Sequence, residues 1–392
     1  MPPCKKRQWS KKATITPVGS FGQCRKMGVK KPPQLIYSTP MQTDSAQMKI
    51  QQMLTTTPPA LSNNDVIRIA VKYYGIDARI QPLVSERDQN FRLETDDARR
   101  FVCKISNHAE QLKVIDFQNR ALLHIAEKDA SFPLPRVIPT LDEQLHCTVK
   151  SGGKTHFVRV LSWLEGVALG KATTDRALAN RLGQLLARLG LALQGFDHPG
   201  SSPPSLWDMK RAGGLRELLT YIQDPGLRPF ISQALDGFDT KVKPALDLLR
   251  SQVIHNDMNP DNVLVARNQP ECINGVIDFG DMVKSPLIID LAIAAAYQLS
   301  DGESPLNGAL PMITGYHTIR PLQDLEMELL MDLIKTRLVT SLLINSYRVT
   351  LFPKNREYLM TSYNSARNFL IKLEQQSADE ALRQIRAACV SA

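Results

Sequence analysis

Residues 253–265, VIHNDMNPDNVLV, constrain this chain more than any other stretch. Apolar residues bracket the segment, so it belongs at the edge of a core. Yet its middle holds His255, Asn256, Asp257, Asn259, Asp261 and Asn262. A buried carboxylate is costly unless it has a partner or a metal. Asp257 and Asn262 stand five apart, and Asp278 follows Asn262 by 16 residues at the end of a second apolar run. If residues 262–266 and 275–278 pair as a hairpin, Asn262 and Asp278 come to the same end of it. An Asn carbonyl and an Asp carboxylate are oxygen donors of the type Mg²⁺ accepts, and Mg²⁺ keeps its other positions for water and phosphates. Asp257, on the loop just before, would face whatever receives the phosphate. Taken singly, Asn256, Asn259 and Asp261 are explained as turn or cap residues. The trio Asp257, Asn262 and Asp278 requires several independent features to coincide, and a metal with a base accounts for all three.

The pattern around this island has two parts. SNNDVIRIAVKYYG at 62–75 reads as a helix with a polar start and a terminal Gly. IQPLVSE, QNFRLET and RRFVCKIS then read as strands, and AEQLKVIDFQNRALLHIAEK as a helix. LHCTVK and THFVRVLSW flank SGGK as a hairpin. Gly153-Lys154-Thr155 mimics half of a P-loop, but Thr148 stands where that motif needs Gly, and a strand pattern follows instead of a helix. From about residue 166 the pattern is mainly helical: 174–195, 206–223, 226–250, 287–299, 322–350 and 354–375. One strand island, 262–281, interrupts it. The expectation is an α+β chain with a small β-rich lobe, a larger helical lobe and a cleft between them.

Net charge is +9, but residues 1–47 carry nine Lys and Arg against Asp44, which is +8. The remaining 345 residues therefore carry 9 − 8 = +1, and the body offers no bulk phosphate-binding face. The segment 1–60 reads as a basic, proline-containing disordered tail and linker, because it has few large apolar residues to offset ordering entropy. A targeting peptide, a nucleic-acid- or membrane-binding arm, and a non-functional extension before Met48 all suit it. No run reaches the ~18 apolar residues that span a bilayer; PLIIDLAIAAAY is too short and contains Asp290. The six cysteines form no CxxC, which suits free thiols in a reducing, cytoplasmic compartment. Oligomeric state is not indicated.

HNDMNPDN matches the kinase catalytic-loop form H-x-D-x-x-x-x-N, and IDFG matches D-F-G. Together they resemble the aminoglycoside phosphotransferase / choline kinase branch of the protein-kinase-like fold. FVCKIS at 101–106 resembles that family's lysine-bearing third strand. SERDQNF at 85–91 resembles the nucleotide-covering hairpin of a narrower set that includes hydroxylysine kinase and the kinase-like domains fused to some aminotransferases. The similarity spans roughly residues 62–375. It implies a bilobal kinase-like fold, with an N-lobe at 61–162 for the nucleotide and a C-lobe at 163–392 for the catalytic loop, metal and acceptor.

The resemblance also implies roles. Asp257 would take the acceptor's hydroxyl proton, Asn262 and Asp278 would hold Mg²⁺, and Lys104 would contact the phosphates of ATP or GTP. Ser85 belongs to the covering hairpin, and Trp163 and Leu164 lie where the chain crosses between lobes. His255 supports the loop. Asp281 suits metal, substrate or loop contacts equally. Asp290 suits a helix N-cap, or the loop-bracing Asp of the family. Asn256 replaces the usual Gly, which Asn tolerates through its left-handed backbone. The helix Glu that usually pairs with the strand lysine falls in register at Gln118, with Asp116 and Glu110 as acidic neighbours. The favoured reading is a kinase for a hydroxyl of an amine-bearing small molecule, hydroxylysine-like or another hydroxy amino acid. The alternatives are an aminoglycoside-, choline- or homoserine-type phosphotransferase, and a silent nucleotide-binding pseudokinase. MVKSPLIIDLA supplies no A-P-E element, against a protein kinase.

Overall fold

The computed structural model describes residues 56–85 and 87–390. Ser62 opens helix α1 (Asn63–Tyr74) with a capping box to Asp65, and Gly75 closes it in the left-handed region at φ 65°. Strands β1 (Arg79–Leu83), β2 (Gln89–Glu94) and β3 (Arg100–Ile105) follow. Helix α2 (Leu112–Lys128) precedes β4 (Val137–Ile138), β5 (Cys147–Ser151) and β6 (Lys154–Ser162). These strands form one antiparallel sheet in the order β1-β2-β3-β6-β4, with β5 paired to β6. The β5–β6 turn uses Gly152 and Gly153 at φ 55° and 75°, so the SGGK stretch is a hairpin.

Alternation along β3 decides which face each side chain takes. Phe101, Cys103 and Ile105 are buried with Phe91, Leu93, Val158 and Val160 under α1, and Lys104 points to the other side. Helix α2 sends Phe117, Ala121, Leu122 and Ile125 into the core of the helical region instead. It is the wedge between the two parts.

The helical region starts with β7 (Val167–Ala168) and α3 (Arg176–Ala192). The run 206–223 winds as a 3₁₀ helix over Met209–Tyr221, and the run after 226 is α4 (Arg228–Gly237) continuing through a π turn at Phe238–Val242. Strands β8 (Ser251–Ile254), β9 (Val263–Ala266), β10 (Gln269–Val276) and β11 (Val283–Pro286) surround the polar island. β10–β9–β7 form one small sheet and β11–β8 another. Helices α5 (Leu287–Ala296), α6 (Leu306–Ile319), α7 (Asp324–Leu351), α8 (Tyr363–Gln375) and α9 (Ala378–Val390) complete the chain.

Two of these helices, α6 and α9, escape the periodicity reading. Helix α6 contains Pro311, which argues against a helix interior. It forms because its Gly315 sits on the Asn180 carbonyl of α3 while Gly183 of α3 sits on the Met312 carbonyl, a reciprocal close approach of two backbones. In the stretch 1–60, residues 1–55 lie outside the described residues. Thr56–Ala60 have no regular structure but are packed: Asn107 Nδ2 donates to the Thr57 carbonyl at 3.0 Å, and Gln89 holds Leu61 through both its backbone groups. Among the described residues, Cys103, Cys147, Cys272 and Cys389 are free thiols, and no helix is long and apolar enough to cross a membrane.

Candidate active site

The β9–β10 hairpin brings Asn262 and Asp278 to one end. Val263 pairs with Val276, and the Ile277 N–H donates to the Asn262 carbonyl at 2.9 Å. Gly275 leaves room here for Leu164, whose Cδ1 a Cβ would push aside. Asp278 is in the left-handed region at φ 59° and opens the 3₁₀ turn Phe279–Asp281.

Lys104 of β3 reaches across to Asp278, Nζ to Oδ1 3.2 Å. The nearby Lys104 ammonium holds the Asp278 carboxyl down at about 2, so it is an anion at any ordinary pH. The strand lysine is therefore joined to Asp278. Gln118, its expected helix partner by register, instead donates to the Gly280 carbonyl at 3.1 Å and accepts from Arg159 Nη2 at 2.5 Å. Arg159 occupies the ladder position opposite Lys104. Its buried guanidinium needs acceptors, and Gln118 with Asn119 supplies them.

The loop between β8 and β9 holds Asp257. Its Oδ2 accepts from Asn259 Nδ2 at 2.9 Å and Asn262 Nδ2 at 2.7 Å, and Oδ1 faces Arg337 Nη2 at 3.3 Å. Burial raises the Asp257 carboxyl to about 7, against the pull of Arg337 and with further upward push from Asp281. Arg337 comes from the middle of α7. It is 3% exposed, bonds the Tyr297 hydroxyl at 2.9 Å, and lies over the Trp207 ring at 4.8 Å. The loop motif gives no hint of Arg337; the only signal is a pair of charged residues, Lys335 and Arg337, inside the largely apolar run LIKTRLVTSLL.

The loop's own support is Asp290. The N-cap position of α5 is Pro286, so Asp290 does not cap that helix. From inside its first turn, the carboxylate accepts the backbone N–H groups of His255 at 3.1 Å and Asn256 at 2.8 Å. Asn256 sits at φ 66°, the left-handed conformation that Gly or Asn adopts most readily, and its side chain donates to the Asp281 carbonyl at 3.1 Å. His255 is fully buried, edge-on to Phe279 at 4.8 Å, with Nε2 3.2 Å from the Ile277 carbonyl. Its ring is occupied with structure.

Trp163 follows β6, its N–H donating to the Arg100 carbonyl at 3.1 Å, with Leu164 next to it against Gly275. Ser85 lies half-buried in the turn between β1 and β2. That turn is tied down by Asn107, whose N–H donates to Asp88 at 2.9 Å and whose Nδ2 donates to the Arg87 carbonyl at 3.1 Å. Beside the Phe279–Asp281 turn a cavity of about 200 Å³ opens between Trp207, Asp281, Glu110, Arg87 and Arg348.

An antiparallel sheet packed on a mainly helical body, with a lysine, a loop aspartate and a turn aspartate converging between them, defines a phosphotransferase of kinase-like fold. Residues 79–322 match the family model described as the phosphotransferase enzyme family, and the chain belongs to that family. It is similar to the hydroxylysine kinase of Danio rerio, 27% identical over 339 residues, which cover 83% of this chain and 95% of that protein. It is also similar to the homoserine kinase of Gluconobacter oxydans (strain 621H), 31% identical over 194 residues, or 48% of this chain and 58% of the other. Among solved structures, amicoumacin kinase hAmiN in complex with AMP-PNP, Ca²⁺ and Ami shares the fold at TM-score 0.62 and 13% identity, covering 81% of this chain and 95% of that one. The protein is thus a small-molecule kinase, a phosphotransferase acting on a hydroxyl group.

Proposed function

We propose that the enzyme moves the γ-phosphoryl group of ATP or GTP to the hydroxyl of an amine-bearing small molecule, a hydroxylysine-like or other hydroxy amino acid. The observation that supports this best is the contrast between two acids in one site. Burial holds Asp257 near 7, where a base works best, and Lys104 keeps Asp278 a permanent anion. Environments that push two carboxyls apart are how acid–base roles are divided.

In this reading residues 61–162 bind the nucleotide and residues 163–392 supply the catalytic loop and the acceptor site. Lys104 contacts the phosphates, Trp163 and Leu164 lie beside the purine, and Ser85 stands in the covering turn. The Asp257 carboxylate accepts the hydroxyl proton as the hydroxyl oxygen bonds to the γ-phosphorus. The β–γ bridging P–O bond breaks, and the nucleoside diphosphate leaves with those electrons.

Asn262 and Asp278 are suited to Mg²⁺. Asn262 donates its amide N–H groups to Asp257, leaving its oxygen as a ligand, and the Asp278 carboxylate is ionised and about half exposed. An Asn oxygen and one carboxylate suffice for an ion that takes one or two protein ligands. When bound, Mg²⁺ would neutralise charge on the phosphates. Asp290, His255 and Asn259 hold the loop in place. A reducing, cytoplasmic setting is part of this reading, since the six cysteines form no CxxC.

The resemblance to a homoserine kinase favours a shorter hydroxy amino acid as the second choice of acceptor. Turnover with Mg²⁺ across 5-hydroxylysine, homoserine, ethanolamine, choline and an aminoglycoside decides among them. The expected result is acceptor-dependent nucleotide turnover that falls ~10²–10⁴-fold in Asp257→Asn. Nucleotide binding with no turnover on any acceptor would support a silent binding module instead.

A further inference from the structure

Lys104 pairs with Asp278, so Gln118 of α2, the position expected to serve the lysine, has a different role to fill. Gln118 is 4% exposed, and both ends of its amide are bonded. Arg159 Nη2 can only donate, so the Gln118 oxygen faces it, at 2.5 Å. That turns the amide nitrogen toward the Gly280 carbonyl, to which it donates at 3.1 Å. Arg159 is itself held in place. It sits opposite Lys104 in the sheet, and its Nη1 donates to Asn119 Oδ1 at 3.2 Å. Asn119 in turn donates to the Leu145 carbonyl at 3.0 Å. Strand β6, helix α2 and the turn Phe279–Asp281 are thus joined through one amide.

The bond to Gly280 matters because of the residue two positions earlier. Asp278 holds a left-handed backbone at φ 59°, which a non-glycine residue keeps only where its surroundings enforce it. The turn that follows is gripped at two successive carbonyls. Gln118 donates to that of Gly280 from α2, and Asn256 donates to that of Asp281 from the catalytic loop, also at 3.1 Å.

A glutamate at 118 could accept from Arg159 but would have no N–H to donate. Its second oxygen would face the Gly280 carbonyl oxygen, and two acceptors repel. A glutamine both accepts and donates at the same length.

We propose that Gln118 is a positioning residue: oriented by Arg159, it holds the 279–281 turn through the Gly280 carbonyl and so fixes where the Asp278 carboxylate points. This rests on the kinase reading above for the use of Asp278, and adds a residue that acts through it. It also reverses the effect expected of an acid at this position. A glutamate that paired with the strand lysine should help the enzyme, whereas a glutamate that releases Gly280 should harm it.

The test is Gln118→Glu beside wild type, with MgATP and MgGTP and the acceptor that the panel identifies. For the nucleotide, kcat/KM should fall roughly 10- to 100-fold, and KM for the acceptor should change less than about twofold. The Mg²⁺ concentration giving half the maximal rate should rise. A second readout needs neither metal nor turnover. In the metal-free protein, amide hydrogen exchange should quicken at residues 278–282 and stay unchanged in β9. A rate equal to or above that of wild type would overturn the proposal, since the position would then serve Lys104 through its charge. An equal loss toward nucleotide and acceptor, with faster exchange throughout the protein, would also overturn it and leave Gln118 a packing residue. If Gln118→Glu does not fold, Gln118→Met, of similar length and with neither bond, decides by the same split and the same exchange pattern. Wild type without Asp257-dependent turnover on any acceptor would overturn the kinase reading, and the exchange measurement would still decide whether Gln118 holds the turn.

Discussion

In the role proposed for it, Asp257 has to be buried enough to be a base near neutral pH, yet ionised enough to be used. Its surroundings balance the two. Burial raises the carboxyl to about 7, while Arg337 at 3.3 Å resists the rise. Since the free enzyme's kcat/KM reports this group, activity should climb about tenfold per pH unit below 7 and level off above it. Initial-rate measurements from pH 5.5 to 8.5 at fixed free Mg²⁺ check this; a flat profile would mean another group is the base. The stability consequence has the opposite sign. A carboxyl raised from its unfolded value near 3.9 favours the folded state at low pH, and that contribution fades as pH rises from about 4 to about 7. Asp278, held at about 2 by Lys104, does the reverse: its contribution is present above pH ~4 and is lost as pH falls toward 2. Arg337 cannot be assigned from sequence, because an arginine inside a long apolar helix has the same pattern whether it meets a carboxylate or solvent.

At the scale of elements, the loop and the helix pair that frames the site depend on backbone geometry. Asn256 at φ 66° is in a region that costs most L-residues ~1–2 kcal/mol, and a β-branched residue more. Asn256→Gly should therefore keep the fold within about 0.5 kcal/mol in urea unfolding, whereas Asn256→Val should lose several times that and much of the activity. Gly183 and Gly315 are needed where α3 and α6 touch, since a Cβ at either would overlap a carbonyl of the other helix. Gly183→Leu cannot be relieved by a rotamer change, because the obstacle is backbone. It should destabilise by at least ~1–3 kcal/mol, seen as a lower urea midpoint with an unchanged slope. This pair explains why α6 was not legible. Pro311 and two glycines argue against a helix in isolation, and the packing that pays for them lies about 130 residues away in sequence, as the Asn180 Nδ2–Pro311 carbonyl bond at 3.2 Å shows. The run 206–223 was legible as helical but not as 3₁₀.

At the scale of the whole molecule, the site is assembled from parts distant in sequence. Lys104 and Asp278 meet across 174 positions, and Arg337 and Asp257 across 80. A nucleotide with Mg²⁺ should bridge these parts and stabilise the folded state by mass action, about 2.7 kcal/mol at 100 times its dissociation constant. Melting temperature should rise with ATP or GTP and Mg²⁺, and EDTA should remove most of the rise. Lys104→Met should show a smaller rise at the same concentrations. An unchanged shift in that variant would place the phosphates elsewhere.

The motif loop, IDFG turn, lysine strand and flanking hairpin could be read directly from residue order, as could the two-part α+β arrangement. Their chemistry is local: spacing along a strand or loop fixes which groups share an end, and hydrophobic period fixes which face is buried. Which helix faces Asp257, how Lys104 is paired, what Asp290 supports and which charges line the cavity depend on contacts between segments 35 to more than 170 residues apart. No local pattern encodes those contacts, because they arise only when the separate apolar faces have found each other and closed around the polar groups between them.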